Sequence, residues 1–257
     1  MTRGWTRMLA ALSAFCAAAL VPAALADGPC VLPPGAENFE KRTVTLPGGA
    51  ELTLAWIEAG ELEIGRSVRG VPKEPLRMAT DGFWMGVCEV TQAQWESVMG
   101  SNPSYFRGEE LPVECVSWED CQEFCRRTGL RLPTGVEWRV ARGAVWEHTA
   151  NPWSWTDRNS RNRTHPAGRS NAGDTGLFDL DGNVCEWCAD WSGAWPEASA
   201  TNYAGPPGGT ERVVCGGCWC GGGLFEVFMS KDHLSLPPDS RYNNVGFRVC
   251  LSPTRGE

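Results

Sequence analysis

The segment 176–191, GLFDLDGNVCEWCADW, carries the densest set of side chains that could bind a cation. Its oxygen-bearing residues alternate with large aromatic ones; they are Asp179, Asp181, Asn183, Glu186 and Asp190. Carboxylates and carbonyl oxygens are the ligands that calcium prefers, and a glycine such as Gly182 lets the chain turn so that carbonyls point inward. An ordinary Asp/Asn/Gly turn closed by core tryptophans has the same composition. Both interpretations stay open at this point.

Cysteine spacing suggests a second kind of chemistry. Cys185-x2-Cys188 and Cys215-x2-Cys218 together have the spacing of a four-thiolate zinc site. In an exported protein, cysteines more often form disulfides. Of the 12 cysteines, Cys16 lies in the apolar start of the chain, so the remainder is odd in number. We expect most of these to pair and at least one to be free, intermolecular or metal-bound, with the connectivity open.

Other catalytic or binding chemistries find little support. The 3 histidines are widely separated, and no Ser-His-Asp spacing or phosphate-binding glycine loop is evident. The net charge of −8 argues against nucleic acid as a partner.

The start of the chain predicts export. Arg3 and Arg7 precede an apolar stretch over 8–25 that ends in Ala-Leu-Ala at 24–26, which is typical of a cleaved signal peptide over 1–26. We therefore expect a secreted or periplasmic protein. Residues 27–50 contain Pro33 and Pro34 and are expected to form an N-terminal tether. No later run of about 18 apolar residues predicts a membrane span.

Strand patterns appear early and late in the remaining chain. Alternating apolar and polar residues from Glu51 onward predict a hairpin that turns at Gly60. An apolar segment over 82–90 and the closing segment 243–250 each read as a strand.

Three short helices are predicted by their caps. Thr91 with Gln94, and Thr134 with Glu137, are spaced as capping boxes, and Ser117 is a third N-cap. Helices among strands without βαβ alternation indicate the α+β class. Residues 144–170 lack periodicity, which favours a functional or ion-stapled loop.

Four motifs in order carry a resemblance to a known family. LPVECVSWEDCQEFC…RLPTGVEW, GLFDLDGNVCEW, RVVCGGCW and NNVGFRV resemble the formylglycine-generating enzyme (sulfatase-modifying factor) domain. Each motif alone is weak, whereas the ordered set is specific and covers nearly all of the chain after its start. The resemblance implies an irregular variant of the C-type lectin fold with low secondary-structure content, over residues 51–252, followed by a tail over 253–257.

The resemblance also implies metals. The family's calcium site would correspond here to the side chains of Asp179 and Glu186 and the carbonyls of Gly182 and Val184. Active members oxidise a substrate cysteine to formylglycine with oxygen and a copper ion held by two cysteines, a soft site suited to Cu(I).

The positions of the two copper cysteines fall at Gly221 and Glu226, and neither residue offers a thiolate. Cys215 and Cys220 have the family's C-x4-C spacing but come six residues too early. An oxidase that uses Cys215 and Cys220 as copper ligands, acting on exported sulfatases, is the alternative function.

The segment 218–242 departs from the family pattern and resembles the variable segment of retroelement-diversified binding proteins. Its candidate ligand-binding residues are Trp219, Leu224, Phe225, Phe228, Met229, Lys231, His233 and Tyr242. Aromatic and methionine side chains are common anchors in interfaces. A buried strand over 224–229 is the other interpretation, since periodicity cannot separate the two for so short a run.

The favoured hypothesis is an exported, non-catalytic domain that contains a structural calcium and binds an unknown protein or small-molecule ligand through the 218–242 surface. A scaffold role in an envelope assembly is a third possibility.

Overall fold

A computed structural model describes residues 40–68, 71–143, 154–170, 175–221 and 234–253. Its helices are α1 (Gln92–Met99), α2 (Trp118–Thr128) and α3 (Gly135–Arg142). Its strands are β1 (Lys41–Thr45), β2 (Glu51–Ile57), β3 (Gly60–Val68), β4 (Val71–Thr80), β5 (Phe83–Gly86), β6 (Cys185–Trp191), β7 (Ala200–Thr201), β8 (Arg212–Cys215), β9 (Leu234–Leu236), β10 (Val245–Gly246) and β11 (Cys250–Leu251). The α+β class is confirmed.

All three helices begin at the residues that the sequence predicted. Each N-cap hydroxyl accepts a hydrogen bond from the N3 amide, and each N3 side chain accepts one from the N-cap amide; the caps are Thr91, Ser117 and Thr134. Such reciprocal bonds satisfy amides that the helix itself leaves unpaired. Gly100 and Gly129 end α1 and α2 in the left-handed conformation, as expected of C-cap glycines.

The first sheet corrects the predicted hairpin. Its strand order is β1-β2-β5-β11, and β3 pairs instead with β4 in a separate three-stranded sheet, β3-β4-β7. The chain leaves the first sheet at Gly60, where a Cβ would approach Val140 Cγ1 of α3 to 2.7 Å. Strands β2 and β3 follow each other in sequence without pairing, and helix α3 packs against the turn between them.

Strand β1 lies inside the segment that was expected to be a tether. Lys41–Thr45 pairs with 51–55 of β2 in an antiparallel ladder, and Leu46 is buried after it. The tether expected over 27–50 therefore ends, at the latest, before Lys41. The predicted signal peptide over 1–26 lies outside the described residues.

The second sheet has the order β10-β6-β8-β9 and carries the cysteine motifs. The closing segment 243–250 does not form the single strand that was expected. It divides into β10, parallel to β6, and the start of β11, which pairs with β5 in the first sheet. The residues between them, Phe247 to Val249, cross the core and are fully buried, so they join the two sheets rather than lie in either.

The core contains aromatic residues from distant parts of the chain. Trp95 of α1 stacks on Phe124 of α2 at 5.6 Å, and Phe247 meets both rings edge-on. Trp187 of β6 is fully buried and donates to the Val116 carbonyl at 3.0 Å. The longest described helix, α2, has 11 residues, and no helix in the described ranges is long and apolar enough to cross a bilayer.

Candidate binding surface and its buried support

The turn over 179–184 is built differently from the sequence expectation. The residues with positive φ are Asp179 (62°) and Asn183 (64°), two residue types that tolerate the left-handed region. Gly182 is required for another reason: a Cβ there would lie 2.5 Å from the Trp155 carbonyl oxygen. The turn and the loop 154–170 are therefore in direct backbone contact.

Asn183 holds these two segments together. It is fully buried, and its amide N–H donates to the Trp155 carbonyl at 2.8 Å. Its side-chain oxygen accepts from the His165 amide at 2.9 Å, while its Nδ2 donates to the His165 carbonyl and to Glu89. The sequence identifies Asn183 only as one of several oxygen-bearing residues, and nothing in its spacing predicts this connecting role.

Glu186 forms a buried ion pair. Arg248 donates to both carboxylate oxygens, at 2.7 Å from Nε and 2.6 Å from Nη2, and Trp138 Nε1 donates at 2.7 Å. Both side chains of the pair are completely inaccessible. The remaining Arg248 donors reach the carbonyls of Gly86, Val87 and Phe178. Glu186, which the family resemblance implied as a calcium ligand, is thus occupied by a guanidinium and an indole.

Two more buried carboxyl groups lie near this pair. Burial raises the pKa of Glu89 well above its usual range, and the nearby charges of Asp179 and Glu186 raise it further. Burial also raises the pKa of Asp179, although Ser170 and the Gly168 amide donate hydrogen bonds that act in the opposite direction. Three buried carboxyl groups thus share the single guanidinium of Arg248.

The fit of calcium to this turn is partial. Asp179 Oδ1 is buried and has no hydrogen-bond partner, as expected of an oxygen available to a cation. Its Oδ2 accepts from the Gly168 amide at 2.6 Å. Glu186 does not fit as a ligand, because a guanidinium lies where a cation would have to approach. In the described part of the chain, no three Asp, Glu, His or Cys side chains form a group that could bind a metal.

The two cysteine motifs do not converge on one zinc site. On one side of the β6–β8 sheet, the Cys188 thiol lies within hydrogen-bonding reach of Cys215. On the other side, Cys218 Sγ lies 3.5 Å from Cys220 Sγ and within reach of Cys185. Residues 185 and 188 point to opposite faces because side chains alternate along a strand. The ten described cysteines are thiols, so their disulfide pairing stays a prediction.

The copper positions carry no thiolate pair. Gly221 is buried, and its amide donates to the Cys218 carbonyl at 3.2 Å in a tight turn. Glu226 lies outside the described residues. The two cysteines proposed as alternative copper ligands have different neighbours. Cys215 contacts Cys188 in the core, whereas Cys220 contacts Cys218 and Asn244.

Of the predicted ligand-binding residues, the structure describes two, Trp219 and Tyr242. The others fall outside the described residues; they are Leu224, Phe225, Phe228, Met229, Lys231 and His233. Trp219 is held in place by four contacts. Its Nε1 donates to the Asn243 carbonyl at 3.0 Å, and its amide donates to the Asn183 carbonyl at 2.8 Å. Its own carbonyl accepts from Ser160 Oγ at 2.7 Å, and its ring meets Phe106 edge-on at 5.4 Å.

Trp219 belongs to an aromatic patch; the sequence predicted Trp219 and Tyr242 as ligand-binding residues but not the other two members. Tyr105 packs edge-on against Phe106 at 5.0 Å and is 69% exposed, and Tyr242 is 50% exposed. These two tyrosines are the large apolar side chains that stand out as exposed among the described residues. We call Tyr105, Phe106, Trp219 and Tyr242 the aromatic patch; Tyr242 is included because Trp219 Nε1 donates to the carbonyl of its neighbour Asn243. No sequence pattern links its members, because they come from three separate segments.

A cleft of about 570 Å³ begins at Arg107, the residue that follows Phe106 of the patch. Residues 107–111 line one wall and residues 161 and 163–166 the other, with three arginines, Arg107, Arg161 and Arg163. His165 closes the base by stacking on Trp155 at 3.8 Å, and burial lowers its pKa. The cleft also contains Glu109 and Glu110, but the arginines outnumber them. An otherwise acidic chain thus has a local excess of basic groups beside exposed aromatic rings.

Comparison with known proteins shows a matching family model and several proteins of similar sequence. The family model "Sulfatase-modifying factor enzyme 1-like domain" matches residues 39–253. The chaperone protein LppX of Paenibacillus barcinonensis is 31% identical, over 53% of this chain and 69% of that protein. The formylglycine-generating enzyme of Bos taurus is 30% identical over 70% of this chain, which spans only 54% of the bovine protein.

Among solved structures, Treponema denticola variable protein 1 superposes with a TM-score of 0.68 at 26% identity, over 83% of this chain and 99% of that one. The fold expected from the resemblance, an irregular variant of the C-type lectin fold with few helices, is thereby confirmed.

Proposed function

Because this chain belongs to the sulfatase-modifying factor enzyme 1-like domain family, we propose that it is an exported, non-catalytic member that binds a protein partner through the aromatic patch and the adjoining arginine cleft. The observation that carries the proposal is the exposure of Tyr105 and Tyr242 on a rigid frame beside three arginines.

The composition of this surface favours protein recognition. Tyrosine, tryptophan and arginine are the residues most enriched at the energetic centres of interfaces. Phe106 and Trp219 are fixed by ring contacts and hydrogen bonds, so little side-chain freedom is lost on binding. The arginines favour a partner with acidic groups opposite the cleft.

The copper positions support the absence of oxidase chemistry. A Cu(I) ion held by two thiolates needs both sulfurs within bonding distance of the same ion. Gly221 has no side chain to offer, and Cys215 and Cys220 have different neighbours. Two relatives add support for binding: one is named a chaperone and another a variable protein.

Site-specific photocrosslinking in the native host tests the surface. A photoreactive amino acid replaces Tyr242 in one variant and Tyr105 in another, and replaces exposed Glu63 of β3 in the control. We expect both patch variants to form the same covalent adduct with one protein, and the Glu63 control not to form it. No shared adduct, or an equal adduct at Glu63, would contradict a binding role for this surface.

Copper measurements test the alternative function. Reduced mature protein is titrated with Cu(I) against a competing chelator, beside the Cys215→Ala, Cys220→Ala double variant. We expect no tight stoichiometric binding and no oxygen uptake with a cysteine peptide. Tight binding that the double variant loses, together with oxygen uptake, would instead establish the oxidase.

We also propose that a structural calcium binds at the Asp179 end of the turn, with the Gly182 and Val184 carbonyls and without Glu186. The unpartnered Asp179 Oδ1 supports this position. Calcium should raise the melting temperature of the wild type, and Asp179→Asn should abolish the rise. Asp181→Asn is the matched control, because Asp181 lies in the same turn but pairs with Arg142 at 2.6 Å. An equal calcium response in both variants would exclude Asp179 as a ligand.

A further inference from the structure

Three thiols, two of which flank Trp219 in the sequence, meet on one side of the β6–β8 sheet. Cys218 is the central one: its Sγ lies 3.5 Å from Cys220 Sγ and within hydrogen-bonding reach of the Cys185 thiol. The turn closed by the Gly221 amide and the Cys218 carbonyl, at 3.2 Å, brings Cys220 back toward Cys218. Cys185 comes from β6, more than thirty residues earlier, and its thiol also contacts the Gly216 carbonyl at 3.5 Å.

The three thiols differ in accessibility. Cys185 and Cys218 are buried, whereas Cys220 is only partly buried. An external reagent therefore meets Cys220 first. Cys218 lies between the accessible thiol and the buried one, so it can react with either.

The side-chain amide of Asn244 is the fourth member of the cluster and donates hydrogen bonds to it. Asn244 Nδ2 points at both sulfurs, at 3.3 Å from Cys220 and 3.6 Å from Cys218. The neighbouring Cys218 thiol and burial raise the pKa of Cys220, and the Asn244 donor acts in the opposite direction. The same donor stands where a metal cation would have to be. Structural zinc requires four ligands, and the next thiols, Cys188 and Cys215, lie together on the other side of the sheet. The cluster therefore suits sulfur redox chemistry better than metal binding.

We propose that Cys220, Cys218 and Cys185 form a thiol–disulfide exchange site, which accepts an external disulfide at Cys220 and stores it as a buried disulfide between Cys185 and Cys218. This role goes beyond the proposed binding function and does not depend on it. The oxidant is a disulfide of a small molecule or of a protein, written here as RSSR.

The exchange proceeds in balanced steps. The Cys220 thiolate attacks RSSR, which forms a Cys220–SR mixed disulfide and releases RS⁻. The Cys218 thiolate then attacks the Cys220 sulfur, which forms the Cys218–Cys220 disulfide and releases the second RS⁻. Finally, the Cys185 thiolate attacks the Cys218 sulfur, and Cys220 leaves as a thiolate. The three attacking thiols give three protons to water, and the two RS⁻ and the released Cys220 thiolate take up three, so the net change is that the Cys185 and Cys218 thiols are oxidised and RSSR becomes two RSH.

Oxidised glutathione serves as the probe for the wild-type protein. The reduced chain is incubated with it, free thiols are alkylated, and the disulfides are mapped by mass spectrometry of non-reduced peptides. We expect a Cys185–Cys218 disulfide, an alkylated Cys220, and release of both glutathione halves as free thiol. If all three cysteines stay alkylatable, or if the protein as purified contains stoichiometric zinc bound by these residues, the proposal is wrong.

Variants separate the steps. Cys218→Ser should release only one glutathione half and retain the other as a mixed disulfide on Cys220. Cys185→Ser should stop at the Cys218–Cys220 disulfide. Cys115→Ser, which changes a partly buried cysteine outside the cluster, should behave as the wild type.

Each variant is first compared with the wild type by thermal melting. Should one unfold, the time course of alkylation in the folded wild type, with Cys220 expected to react first, still tests the order. Glutathionylation of Cys115 at the same rate as Cys220 would show unspecific oxidation and contradict the proposal.

Discussion

At the scale of single residues, Arg248 connects several elements of the core through its guanidinium. Its side chain is fully buried. It pairs with the Glu186 carboxylate of β6 and donates to the carbonyls of Gly86 and Val87, at the end of β5, and of Phe178, just before the turn over 179–184. The Glu186 charge raises the pKa of Arg248 against the opposing effect of burial, so the guanidinium stays charged. A buried charge is tolerated only with its partner in place.

Arg248→Met tests this coupling. The substitution leaves the Glu186 carboxylate buried without its cation, and we expect a loss of about 3–5 kcal/mol in the free energy of unfolding, measured by urea titration. The double variant Glu186→Gln, Arg248→Met should lose less than the single one, because the Glu186 charge is removed together with its partner. Arg126→Met, which removes an exposed guanidinium that pairs with Glu123 on α2, is the control and should change little. Equal losses in the single and double variants would contradict the coupling.

Asp190 predicts a pH dependence. Burial raises the pKa of this carboxyl from 3.8 to about 6 in the folded chain, even though its Oδ2 accepts from the Gly135 amide at 2.6 Å. The folded state therefore binds the proton more tightly than the unfolded state. The contribution of this tighter proton binding at Asp190 to the stability of the fold is complete below about pH 4 and is lost as the pH rises through about 6.

Asp190→Asn removes this titration and keeps an oxygen acceptor for Gly135. Relative to the wild type, the variant should gain about 3 kcal/mol between about pH 4 and pH 7, since each pKa unit is worth about 1.4 kcal/mol. Urea unfolding of both proteins across this range gives the difference directly. A difference independent of pH would show that Asp190 has an ordinary pKa.

At the scale of elements, helices and loops are positioned by different interactions. Each helix starts at a hydroxyl that bonds an amide three residues ahead, which is a local interaction. The loop 154–170 contains no helix or strand in its described residues and is positioned by the turn over 179–184. Asn183 and Gly182 make that connection through one hydrogen-bonded amide and one missing side chain.

Gly182→Ala should disturb this connection. The added methyl group would meet the Trp155 carbonyl at 2.5 Å, and we expect a loss of about 1–3 kcal/mol. Hydrogen exchange at the Asn183 amide, which donates to Trp155, should become faster. Gly208→Ala is the matched control, because its Cβ would have no neighbour within 4 Å. An unchanged exchange rate at Asn183 would mean that the loop moves without cost.

At the scale of the whole molecule, the described residues form three small sheets, and buried side chains from distant parts of the chain form a common core. Strand β1 completes the outer edge of the first sheet, and Leu46 is buried in the main hydrophobic cluster. The matched family region begins at residue 39, close to the start of β1. The folded domain therefore includes the last part, from residue 40 onward, of the segment that sequence alone assigned to a tether.

Truncation tests this boundary. A chain that begins at Glu40 should melt like the mature protein. A chain that begins at Glu51 should lose the ladder with β2 and the burial of Leu46, worth about 1.5–3 kcal/mol for that side chain alone. Differential scanning calorimetry of the two chains gives the comparison. Equal melting temperatures would restore the tether over 27–50.

The sequence by itself determined the α+β class, the three helix starts and the family. Helix caps depend on residues three positions apart, and the family motifs are contiguous, so both can be seen in the chain without its fold. Only the tertiary structure decided that β2 and β3 separate, that Glu186 faces Arg248 across 62 positions, and which cysteines meet. It also decided the aromatic patch, whose members lie in segments around 105, 219 and 242. Contacts between such distant residues depend on how the sheets pack, and spacing along the chain carries no information about that.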